Sequence, residues 1–433
     1  SVDSLSAPPS AHVGTLTGPG PFSEPGVAVD PSDPTHVVAV YQTNAHATYS
    51  RDGGATWTHA EATAPHNYKV SGDVSVTFDN RGHAILCYIA FDKLGTPEYW
   101  AHNATRNGIF VRRSLDGGKS WEKNAVSVDA IATAPVIPFE DKPYIIADNT
   151  HSSFAGNLYI GWTEFTLDKS VILFARSTDG GATWSAPARI STKAGLPRDD
   201  NGDVEGFTGA VGADGTLYVA WSDGNSIVFT SSRDGGKTFA KSRPIVSTAP
   251  SYFNIPSVDR SNGFPQLGID PRRQRLFLTW SDYRNGDVDI FSSTSVDAGA
   301  TWSAALRIND DPIHNGSDQY FQWLAVDPTD GAANVVFYDR RADSTNRAAR
   351  IFLARSVDGG RTYRNYPWNP VASDAEGAFI GDYTGIAALG GHVYGVWTEK
   401  ATAAELAEAA TRAGHPLART TLIRVGVADF GRH

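Results

Sequence analysis

The 433-residue chain has no methionine and a single cysteine. Without Met it lacks its own initiator, so a segment ahead of Ser1 is expected to have been removed, by cleavage of a secretion signal or by trimming. The protein is then expected to be secreted, extracellular or periplasmic. Cys87 stands alone in the strand-like run HAILCYIAF, which excludes a disulfide framework and reads as a buried structural thiol. No basic run occurs and the net charge is −10, which argues against a nucleic-acid partner because a duplex needs a cationic face. No apolar run approaches the roughly 18–20 residues of a membrane span. His and Cys nowhere take zinc-ligand spacing, and the acidic stretch DYRNGDVD at 282–289 reads as a turn, so neither a metal nor another cofactor is expected.

What the chain does contain is turn-forming residues, with 42 Gly and 24 Pro, and one phrase written six times. It reads SRDGGATW, SLDGGKSW, STDGGATW, SRDGGKTF, SVDAGATW and SVDGGRTY, with its aspartates at Asp52, Asp116, Asp179, Asp234, Asp297 and Asp358. A repeat near 60 residues has room for four short strands and their loops. Before each phrase lies a β-branched or aromatic run such as VILFARS. Two further runs precede it, such as LFLTWSD and LGID. Each unit therefore reads as strands A, B and C, the DGG turn, then strand D. The paired glycines permit positive φ in a tight hairpin, the Asp accepts bonds from turn amides, and the terminal aromatic packs between units. The phrase is structural.

Innermost strands begin near Glu24, Asp73, Asp141, Glu205, Gln266, Gln322 and Asp382, which gives seven units. The seventh ends after its third strand, and the N-terminal HVGTLTG is the natural donor of the fourth. The prediction is an all-β, seven-bladed β-propeller forming one domain over 1–433, with its N-terminal strand closing the last blade. A short Ala-rich helix is inserted at about 401–414.

In an antiparallel blade the start of A and the end of B share one end, and the C–D turn lies at the other. The A starts carry Glu24, Asp73, Asp141, Lys142, Glu205, Gln266, Asp318, Gln322, Asp382 and Tyr383. The B ends add Asp92, Glu164, Asp223, Asp282, Arg284, Asp339, Arg340, Arg341 and Glu399. These positions differ between blades and are nearly all polar, which suits a central pocket for a glycan or other small polar ligand. A closed propeller needs no partner subunit, so a monomer is expected. Asn103 and Asn315 match the glycosylation pattern.

The repeated S-x-D-G-G-x-T-W resembles the Asp-box, or BNR repeat, of the sialidase (neuraminidase) superfamily, and six copies extend the resemblance over nearly the whole chain. It implies a sialidase-like glycoside hydrolase with a tyrosine nucleophile, here Tyr383 in GDYTG. A glutamate would be its base, here Glu205 in VEGFTGAV, and an aspartate the acid/base, here Asp73 in SGDVSV. An anionic sugar repels a carboxylate nucleophile, which favours a neutral phenol. Arg284, Arg340 and Arg341 are candidates for the arginine clamp on a substrate carboxylate. The chain departs from the family in having SEPGVAV, with Glu24, where sialidases carry Phe/Tyr-Arg-Ile-Pro, and in having seven blades instead of six. Two alternatives stay open: a non-catalytic carbohydrate- or protein-binding propeller, and a polysaccharide lyase.

Overall fold

A computed structural model describes residues 5–42, 44–60, 68–92, 106–132, 138–199, 202–249, 253–417 and 420–431. Seven antiparallel sheets follow one another along the chain, each built from strands consecutive in sequence except the last. Their innermost strands are Ser23–Asp30, Val70–Phe78, Phe139–Ala147, Glu205–Val211, Gln266–Asp270, Gln319–Val326 and Gly385–Leu389. The seventh sheet runs Gly385–Leu389, His392–Lys400, Thr421–Asp429 and finally His12–Thr15 from the other end of the chain. His12 sits opposite Val427 and Thr15 opposite Arg424. The first and last blades are thus sewn together. Asn103 lies outside the described residues.

The second strand of each blade is the most apolar. In Ala84–Phe91 all eight residues are buried, because both faces of the sheet are covered by neighbouring blades. The buried apolar residues fall into seven clusters, one per seam between blades. The seam between blades one and two, for example, joins Val38 and Val40 to Val74, Leu86 and Tyr88. Stability therefore resides between the blades, where each fully buried large side chain contributes about 1.5–3 kcal/mol.

The repeated turn leads from the third strand to the outer strand in the first six blades. In the third copy, Ser177 Oγ donates to Asp179 Oδ1 at 2.8 Å and accepts from the Gly181 amide at 2.9 Å. Asp179 also accepts from the amide and hydroxyl of Thr183 at 2.9 and 2.6 Å. Gly180 and Gly181 sit at φ 72° and 87°, a region open to glycine at little cost. The inserted helix, Ala403–Ala413, is capped at its start by Thr402 and Glu405 in a reciprocal pair and at its end by Gly414 at φ 73°.

Candidate active site

The innermost strands of blades one to four and six share a defect where they begin. Each ladder skips a residue, between Ser23 and Gly26, Gly72 and Ser75, Asp141 and Tyr144, Glu205 and Thr208, and Tyr320 and Trp323. The first extra residue in each bulge has positive φ: Glu24 at 50°, Asp73 at 48°, Lys142 at 49°, Gly206 at 79° and Phe321 at 51°. Only one of the five is glycine. A left-handed backbone at a residue with a Cβ costs about 1–2 kcal/mol. Bulges re-aim side chains, and strain of this kind collects at functional sites.

Three of these side chains meet at one end of the propeller axis. Glu24 is fully buried, and its Oε1 accepts from the Asp382 amide at 3.1 Å. Asp73 Oδ2 accepts from the Lys142 amide at 3.3 Å, while Gln42 Oε1 holds the Asp73 amide at 2.8 Å. Asp141, also buried, accepts from the same Lys142 amide at 2.9 Å. Lys142 Nζ lies 4.4 Å from the centre of the Tyr383 ring and 4.8 Å from that of Phe264. The Tyr383 hydroxyl donates to the Val74 carbonyl at 3.4 Å, and its ring lies against Trp323 at 5.4 Å. Beneath them is a cavity of about 80 Å³, lined among others by Pro25, Val74, Lys142, Gln266, Trp323 and Tyr383. It has room for several water molecules.

The three carboxyl groups do not titrate alike. Burial first, and then the charge of Asp73, push Glu24 and Asp141 well above the ordinary carboxylate range. Burial also presses on Asp73, but hydrogen bonds from Asp141 and Glu24 and the charges of Lys142 and Arg260 outweigh it, so its carboxyl is held below the ordinary value. A carboxyl held low beside two held high sets a base beside acids in one place. Tyr383 is pushed well above the phenol range by burial, then by the charges of Glu24 and Asp73. It needs a base at hand to react as a nucleophile.

Among the residues singled out from sequence, Glu24, Asp73, Asp141, Lys142, Asp382 and Tyr383 come together here, and Gln266 lines the cavity. Gln322 accepts from the Thr279 hydroxyl and donates to the Phe264 carbonyl at 2.8 Å, beside Tyr383. Glu205 stands one blade further round. It is raised well above its ordinary value by burial, then by the charges of Asp203 and Asp141. Arg284, Arg340 and Arg341 are occupied within the loops that follow the second strands, and Asp318, just ahead of the innermost strand of blade six, is tied to one of those loops. Arg284 pairs with Asp282 and donates to the Ser247 carbonyl at 3.0 Å. Arg340 is fully buried and donates to the Asn346 carbonyl at 2.7 Å. Arg341 pairs with Asp339 at 2.8 Å and with Asp310. Asp318 accepts from Asn346 Nδ2 at 2.6 Å. In 282–289, Asp282 is taken by Arg284 and Asp289 by Arg307 at 2.7 Å, so this stretch is a salt-bridged turn.

Sequence reasoning missed Arg260, Asp199 and Asp203. Arg260 grips Asp382 through two bonds of 2.7 and 2.6 Å and lies 3.7 Å from Asp199. It comes from the connection ahead of blade five and reaches 122 residues along the chain, a pairing that no local pattern announces. The acid-rich RDDNGD at 198–203 was the one available signal for the two aspartates.

No family model matches the chain. A stretch of 89 residues is 35% identical to a sialidase of Micromonospora viridifaciens and covers 18% of this chain and 14% of that protein. The chain superposes on the phage phi92 endosialidase with a TM-score of 0.54 at 11% identity, over 98% of this chain and 70% of the other. A polysaccharide lyase of family PL25, an ulvan lyase, gives 0.51 at 11% identity over 88% and 92%. At such identities the shared property is the fold.

Proposed function

From the premise that the chain is a sialidase-like propeller, we propose that it is a glycoside hydrolase working at the axial carboxylate cluster. One observation carries the reading: the carboxyl groups of Glu24, Asp73 and Asp141 gather at one end of the axis beside the Tyr383 ring, Asp73 and Asp141 sharing the Lys142 amide, with Asp73 held below the ordinary carboxylate range and the other two above it. In this mechanism Tyr383 attacks the anomeric carbon and gives its proton to Asp73. The bond to the leaving oxygen breaks, and that oxygen takes a proton from Glu24 or Asp141. Water then releases the sugar from tyrosine, with the protons returned in reverse. Glu205, one blade further round, takes no direct part in this scheme. With Glu24, Asp141 and Glu205 held high, the cluster still sets Asp73, Asp199, Asp203 and Asp382 against Lys142 and Arg260, and Arg260 is already committed to Asp382. This balance favours a hydroxyl-rich neutral or amino sugar over a carboxylated one. No helix among the described residues is long and apolar enough to cross a membrane. A monomer acting outside the cytoplasm suits a glycan substrate.

The test is turnover of aryl glycosides by wild type and Asp73→Asn. The reading expects a loss of about 10²–10⁴ in rate, the usual worth of a general base. Equal turnover in the variant would overturn it. A lyase is the second reading, favoured by the ammonium of Lys142 over the Tyr383 ring, since lyases need a cation beside a tyrosine base. It is distinguished by an unsaturated, ultraviolet-absorbing product. Binding of a glycan with no turnover in either assay would leave a carbohydrate-binding propeller.

A further inference from the structure

A second acidic group lies away from the axis, between blades two and three. Asp129 comes from the outer strand of blade two, Val126–Ile131. Glu140 and Glu164 come from the first two strands of blade three, Phe139–Ala147 and Leu158–Phe165, where they face one another directly in register. One carboxylate oxygen from each lies within 4.8 Å of the other two. Like charges directly opposite on neighbouring strands are destabilising unless something neutralises them.

Other blades show what normally neutralises this position. Asp282, Asp339 and Glu399 close the second strands of blades five, six and seven, and each is paired with an arginine: Arg284, Arg341 and Arg424. Asp223 in blade four instead closes a tight turn on the Ser226 amide at 2.8 Å. Among the described residues Glu164 has no such cation, and what faces it is carboxylate. The indole geometry departs as well. Trp280 and Trp397 donate to the acid two residues on, Asp282 at 3.0 Å and Glu399 at 2.8 Å. The equivalent Trp162 turns to Glu140 Oε2 instead, which leaves Glu164 unengaged by it. Glu140 is fully buried, and its Oε1 has no hydrogen-bond partner. An orphaned, fully buried carboxylate oxygen is costly unless a cation or a proton sits on it.

We propose that Asp129, Glu140 and Glu164 form a binding site for a hard divalent cation, of the calcium class, that ties blade two to blade three. The donors are all oxygen, which disfavours zinc and copper. Oxygens that share one calcium at about 2.3–2.6 Å lie no more than about 5 Å apart, which the trio satisfies. Asp129 and Glu164 are only partly buried, so the trio is open to solvent on one side.

The test uses the full chain, stripped with EDTA, then titrated with CaCl₂ and separately with MgCl₂ by calorimetry and thermal melting. The expected result is one site per chain and a melting midpoint that climbs with calcium concentration. Glu164→Gln should weaken calcium binding about tenfold or more and suppress the climb. Asp223→Asn, at the equivalent place in blade four, should leave both unchanged. Glu140→Gln puts the fold itself at risk, so the partly exposed Glu164 carries the decision. No heat and no shift with either metal would overturn the proposal. So would calcium binding that is indifferent to Glu164→Gln, since the trio would then be holding protons.

Discussion

Gly426→Ala tests the claim that the seams hold the propeller together. Gly426 pairs with Gly395 on the neighbouring strand of blade seven, and the indole of Trp368 lies across both. A Cβ at 426 would stand 2.6 Å from Trp368 Cε2, and one at 395 would stand 2.7 Å from Cζ3. Carbon atoms settle at roughly 3.5–4.0 Å, so the ring must withdraw by about 1 Å. It has little space to do so. Trp368 is 4% exposed, lies against Trp397 with ring centres 5.9 Å apart, and donates to the Val427 carbonyl at 3.4 Å. Overpacking of this kind costs about 1–3 kcal/mol. Trp368→Leu alone should cost about 2–4 kcal/mol through the cavity it leaves. The two together should cost less than their sum by about 1–2 kcal/mol, because the smaller side chain admits the methyl. Guanidinium unfolding at constant m measures all four corners of the cycle. A neutral Gly426→Ala, or strict additivity, would refute the reasoning.

Three further outcomes follow from the same structure. Ser177→Ala strips the Gly181 amide of its buried acceptor and should destabilise by about 1–3 kcal/mol, read from the same unfolding curves. Stability in EDTA should peak near pH 4. The turn aspartates Asp52, Asp234 and Asp358 are lowered to about 2 by their turn bonds, so their contribution is present above the ordinary value of 3.8 and is lost as pH falls towards 2. Asp129 is raised to about 6, so its contribution is full at low pH and is lost as pH climbs from 3.8 to 6; a stability that rises steadily from pH 4 to 7 would contradict this. Cys87 is fully buried and its thiol is pushed far up by burial, so it should resist thiol reagents until the chain unfolds.

The scaffold was legible because it is written locally. Ser177, Asp179 and Thr183 satisfy one another within seven residues, so the turn announces itself in sequence. The closing strand followed from a blade with three strands and a spare run at the other end. Chemistry at the axis was only half legible. Glu24, Asp73 and Lys142 stood out as ionisable residues where neighbouring blades have others, yet nothing local foretold the bulges that turn them inward. Arg284, Arg340 and Arg341 looked available because sequence does not reveal that Asp282, Asn346 and Asp339 already hold them. Arg260 acts on Asp382 from two blades away. Asp129 and Glu140 went unnoticed because their partner, Glu164, becomes unusual only when its surroundings are compared with those of Glu399 and Asp282.

The most direct measurement is the initial rate of aryl release from a panel of 4-methylumbelliferyl glycosides, neutral, amino and sialic, by wild type and Tyr383→Phe side by side. The account predicts turnover of a neutral or amino glycoside by wild type and its near-complete loss when the phenol hydroxyl is removed, with the fold intact. Full activity in Tyr383→Phe, or turnover confined to the sialoside, would contradict it.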